Sequence, residues 1–85
     1  IMKKCLKITL ISSALDRNFF GSVQTVARKL GLEGTMQFSD PNEVVIIACG
    51  SKDDIDSFLD NIHEGFGAMI PEDVQVEPFL KEKDY

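Results

Sequence analysis

Six apolar residues in a row, Val44 to Cys49 (VVIIAC), constrain this chain more than any other stretch. The run is short, rich in Val and Ile, and apolar at both alternating sets of positions. It reads as a central strand, apolar on both faces, with a neighbour on each side. Those neighbours are present in the sequence. Immediately upstream, Asp40 to Glu43 (DPNE) carries turn chemistry: Pro41 fixes φ, and the Asp40 side chain can bond its own backbone. Before the turn, residues 33–39 (EGTMQFS) form another strand, so the two make a hairpin. Near the start, Leu6, Ile8 and Leu10 alternate with Cys5, Lys7 and Thr9, which predicts a strand over residues 3–12. In the closing stretch PEDVQVEPFL, Val74 and Val76 alternate as a fourth strand, and Pro78 suits an edge because it cannot donate to a ladder.

Two stretches change period. After a polar loop, SSALDRNF, residues Phe19, Val23, Val26, Ala27 and Leu30 follow helical spacing, with Gly31 at the C-terminal cap position. Ile55, Phe58, Leu59 and Ile62 define a second amphipathic helix, stopped by Gly65 and Gly67. Ser51 with Asp54 forms its capping signal, and Asp53 and Asp54 suit its N-terminal dipole. The order βαββαβ predicts an α/β (α+β) chain: a ferredoxin-like sandwich whose antiparallel sheet carries two helices on one face. That fold hosts enzymes, sensors, metal carriers and RNA binders, so it does not decide function.

Eighty-five residues form one domain, 1–85, since a second core of useful size does not fit. A net charge of −5 works against nucleic acid or an anionic membrane surface as partner. No window reaches transmembrane length. The opening MKKCLKITLISSAL has the outline of a secretory signal, but Lys7 interrupts its apolar run and its removal would delete a strand. It reads as mature protein, with Ile1 a remnant ahead of the start. Cys5 and Cys49 have no C-x-x-C spacing, and His63 is the only histidine, so no metal site and no cofactor are expected. Both cysteines fall in strand runs and read as buried, reduced thiols of a cytoplasmic protein.

Residues 27–34 are specific enough to carry a resemblance. Ala27-x-x-Leu30-Gly31-Leu32-x-Gly34, preceded by Phe19-Phe20-x-x-Val23-x-x-x-Ala27, is similar in spacing to the acylphosphatase family's "F-R-x-x-V-x-x-x-A" and "L-G-L-x-G". The hairpin, the glycine-ended second helix and the final V-x-V strand agree in order, so the resemblance spans almost the whole chain. It implies hydrolysis of carboxyl-phosphate anhydrides. In the family, backbone N–H groups of the first strand–helix loop cradle phosphate, an arginine supplies charge, and an asparagine on the second strand orients water. It also implies a further short strand, often F-x-I, which would fall past Tyr85 or be absent.

Carried over residue by residue, the resemblance puts the arginine at Phe20 and the asparagine at Phe38. Neither phenyl ring can donate a hydrogen bond, hold phosphate or orient water. No catalytic residue is therefore assigned. The candidate anion-binding loop is Asp16, Arg17, Asn18, Phe19 and Phe20, in which Asp16 replaces a glycine and would repel an anion. Arg17 reads as a solvated loop arginine pairing with Asp16 or the surface. The alternative is an acylphosphatase-type hydrolase with a rearranged site, using Arg17 beside Asn18.

His63 sits where a cation suits a helix C-terminus, with no nucleophile expected near it. The acidic run KDDID reads as a solvated first helical turn. Neither the aromatic signature of an RNA recognition motif nor a glycine-rich phosphate loop of the G-x-G-x-x-G or Walker type is present. The residues thus describe a non-catalytic binding or regulatory module whose partner is a small molecule or protein, as a monomer or weak homo-oligomer. Phe20 and Phe38 are expected to lie mostly buried against each other.

Overall fold

In a computed structural model, residues 3–67 and 69–79 are described. Along the chain run β1 (Lys4–Ile11), α1 (Arg17–Lys29), β2 (Glu33–Asp40), β3 (Glu43–Gly50), α2 (Lys52–Glu64) and β4 (Asp73–Pro78). The strands lie in the order β2-β3-β1-β4, and every neighbouring pair is antiparallel. This is the ferredoxin-like sandwich that the sequence predicts. The expected strand after β4 lies outside the described residues.

Alternation decides which face is dry. Leu6, Ile8 and Leu10 of β1 and Val44, Ile46 and Ala48 of β3 are buried, and they share one core with Phe19 and Val23 of α1 and Ile55, Phe58 and Ile62 of α2. Both helices therefore cover the same face. On the other face Val45, Ile47 and Cys49 are only half-buried, so the apolar run of β3 is not enclosed on both sides. Antiparallel sheets tolerate this, because each strand's neighbours shade the open face without a second layer.

Local chemistry accounts for the helix ends. Asp16 caps α1 by accepting a hydrogen bond from the Phe19 N–H at 3.1 Å. The cap starts the helix at Arg17, two residues earlier than the apolar spacing alone places it. At the other end, the Leu32 N–H donates to the Ala27 carbonyl and the Gly31 N–H to the Arg28 carbonyl, with Gly31 at φ +70°. That is a Schellman motif, and it explains the Leu30-Gly31-Leu32 spelling. Ser51 caps α2 through the Asp54 N–H at 3.2 Å.

The two cysteines depart from the expectation of separate buried thiols. The β1–β3 register sets Cys5 directly opposite Cys49 on the open face, Cα–Cα 4.0 Å, and they are joined as a disulfide. Residues 44 apart in sequence give no sign of this; only the pairing of the strands does.

Candidate functional site

The loop between β1 and α1 is tied down on three sides. Ser12, buried to 1% exposure, donates its N–H to the Asn42 carbonyl at 3.0 Å, fastening the loop to the β2–β3 turn. Its hydroxyl accepts from the Ala14 N–H at 3.1 Å. Ser13 donates twice to one carboxylate oxygen of Glu72, from its N–H at 3.1 Å and its hydroxyl at 2.9 Å. Glu72 is itself held by its N–H bond to the Ile11 carbonyl, 2.8 Å. With the Phe19 N–H taken by Asp16, four backbone donors of this region, those of Ser12, Ser13, Ala14 and Phe19, already face the chain's own oxygens, and two of the four acceptors are carboxylate oxygens.

The five candidate loop residues do not converge on one point. Asp16 caps the helix and, with Asn18, lines a cavity of about 570 Å³ walled also by Ser13, Phe66 and Met69. Arg17 is the first residue of α1, exposed, and makes no ion pair with Asp16 or any other carboxylate among the described residues. Phe19 turns into the core, 2% exposed, and meets Phe66 edge-on at 5.9 Å. Phe20 turns the other way, toward β2.

There Phe20 stacks on Phe38, ring centroids 5.0 Å apart and planes 21° from parallel. The rings do meet, but the expected burial is incomplete: Phe38 is 40% exposed and Phe20 half-buried. Phe38 lies on the outermost strand, opposite buried Val44 on the helix-covered face and next to an irregularity of the β2–β3 register at Phe38/Asp40, and the Phe20 ring shades it only in part. The pair offers two apolar faces and no polar atom, so it can pack a ligand but not polarise one.

Sequence reasoning missed Glu72, which lies 59 residues from Ser13 and carries no local mark of its role. The His63 Nδ1–H donates to the Leu59 carbonyl at 2.9 Å, in the last turn of α2, and the residue is exposed. Among the described residues no cluster of three His, Cys, Asp or Glu could hold a metal ion, and no helix is long and apolar enough to cross a membrane.

Comparison with known proteins agrees with this fold. The acylphosphatase family model matches residues 17–84. An acylphosphatase from Coxiella burnetii superposes with a TM-score of 0.84 at 25% identity, covering 98% of this chain and 86% of that one. Acylphosphatase from Bacillus subtilis gives 0.83 at 24% identity, covering 94% and 88%. Full-length HypF, solved in its phosphate- and nucleotide-bound form, gives 0.83 at 19% identity, covering 96% of this chain and 11% of that one, and shares the fold alone. No curated protein matches the chain in sequence.

Proposed function

The chain belongs to the acylphosphatase family, and from that premise we propose that it is a non-catalytic member acting as a binding or regulatory module. One observation carries the reading: Phe20 and Phe38, at the positions of the family's arginine and asparagine, are stacked on each other. A dianionic acyl phosphate needs a cation and converging donors, and its attacking water needs a fixed acceptor. The stack supplies none of these.

The loop supports the same reading. Ser13 already serves the Glu72 carboxylate and Phe19 the Asp16 carboxylate, so an incoming phosphate would have to displace one negative charge while lying beside another. What the site retains is an apolar surface at the Phe20–Phe38 pair, suited to a small molecule or a protein segment. The net charge of −5 argues against nucleic acid or an anionic membrane as that partner. In this reading the chain works in the cytoplasm as a monomer or weak homo-oligomer. There the Cys5–Cys49 pair is expected as thiols, because reducing compartments open such bonds.

Asn18, lining the cavity beside the loop, is the observation that favours the competing hydrolase reading, with Arg17 one residue away. Benzoyl phosphate hydrolysis, measured beside the Bacillus subtilis enzyme, decides between them. Loss of two stabilising groups predicts turnover lower by about a thousandfold or more. Comparable turnover, abolished by Arg17→Ala, would establish the hydrolase instead.

A further inference from the structure

A second opening lies between α1 and β2, on the far side of α1 from the loop cavity. It holds about 470 Å³, within the usual range of small-molecule clefts. Buried Val23, Ile46 and Phe58 line it, together with half-buried Phe20, Leu32 and Met36. The space exists because minimal side chains coincide. Gly34 of β2 and Ala48 of β3 are direct cross-strand partners, and Ala27 of α1 lines the same groove. Gly34 cannot be enlarged: a Cβ there would run into the Ile47 carbonyl oxygen of the paired strand. The gap is therefore built in by the residue that lets β2 and β3 approach.

The polar groups lining the groove are unevenly charged. Gln24 and Arg28, one helical turn apart on α1, both line it. Glu33, the one acidic lining residue, is bonded by the Lys3 ammonium at 3.1 Å. No carboxylate pairs with Arg28 among the described residues. An apolar floor thus meets one available cation and one amide. The chain's overall negative charge does not cancel this, since exposed charges farther than about 10 Å are largely screened at ordinary ionic strength.

We infer that the α1–β2 groove binds a small amphipathic carboxylate, its apolar body over Ala27 and Ala48 and its carboxylate on Arg28 and Gln24. The inference rests on the binding-module reading and names the ligand class of that module. A guanidinium favours a carboxylate by presenting paired N–H donors to its two oxygens, while the dry floor favours a hydrocarbon. Neither feature alone selects the ligand; their adjacency does.

The test titrates isotope-labelled protein with decanoate and, separately, with decanol, following amide shifts and heat. Decanoate is expected to bind saturably at one site, with shifts confined to α1, β2 and the facing part of β3, and more tightly than decanol. Arg28→Gln should weaken decanoate about tenfold, the loss of one charge-assisted contact, and leave decanol unchanged. Ala27→Leu, which fills the groove, should abolish both while the thermal melt shows a folded protein. Should that variant not fold, Arg28→Gln decides alone. The inference is overturned if decanoate does not saturate, if decanol binds equally well, if Arg28→Gln changes nothing, or if shifts centre on Ser13–Asp16. It is also overturned if the groove shifts arise on concentrating protein without ligand, which makes the groove an interface between copies. Benzoyl phosphate turnover would sink the non-catalytic reading without touching the binding result, and failed decanoate binding would do the reverse.

Discussion

Gly31 and Gly34 lie three residues apart in the most family-like stretch, yet they are glycine for different reasons. Gly31 takes φ +70° to end α1 and faces open space, so an alanine there bears only the left-handed backbone cost. Gly34, at φ +154°, also has the Ile47 backbone where a side chain would be. Gly31→Ala is expected to cost about 1 kcal/mol and Gly34→Ala about 3 kcal/mol or more, the latter through displaced β2–β3 pairing. Urea denaturation of both variants checks this, and equal costs would contradict the steric account. Phe20 and Phe38 bring two ring faces and no hydrogen-bonding side chain to their contact, so the pair limits what this surface can hold by chemistry rather than by backbone.

At the scale of elements, β1 and β3 are the centre of the sheet, paired over the full span Lys4–Ile11 against Glu43–Gly50. The disulfide crosses this pair at Cys5 and Cys49, on the face without helices. Because the ladder already holds the strands in register, reduction should lower stability without dissolving the sheet. The effect expected is about 2 kcal/mol, or a fall of about 10 °C in Tm for a domain this small. Thermal melts with and without reductant, accompanied by amide spectra, measure it; unchanged melting would mean the bond adds nothing to the paired strands. The strand β2 contrasts with this pair. It is an edge strand, exposed except at Met36, and α1 touches it sparsely, which is why the groove opens there.

Across the whole molecule, stability depends on a single layer of contact between one sheet face and two helices. Phe58 lies in that layer at 1% exposure, within the core formed by both helices and the central strands. Truncation to alanine removes a full ring and is expected to cost about 3–5 kcal/mol, enough to unfold much of a marginal small domain. Loss of amide dispersion or a steep drop in Tm would register it, and a cost below about 1 kcal/mol would show that the groove collapses to fill the void. Charge is divided as well. α1 carries Arg17, Arg28 and Lys29 with no acid, whereas α2 carries five acidic residues against Lys52 and His63. An acidic protein overall thus keeps one basic helix, and that helix borders both cavities.

The sequence by itself determined the elements, their order and the family, because alternation, helical spacing, caps and the Leu30-Gly31-Leu32-x-Gly34 turn act over a few residues. That residues 20 and 38 are phenylalanines, unable to hydrogen-bond through their side chains, was equally legible, because residue identity needs no geometry. Tertiary structure decided what lies beyond local reach. The Cys5–Cys49 bond, the Glu72 carboxylate on Ser13 and the contact of Gly34 with Ala48 each depend on strand register across many residues. The half-open stack of Phe38 was likewise settled there, since burial at an edge strand depends on how far the helix layer reaches over it, and α1 reaches Phe38 through the Phe20 ring alone closely enough to stack.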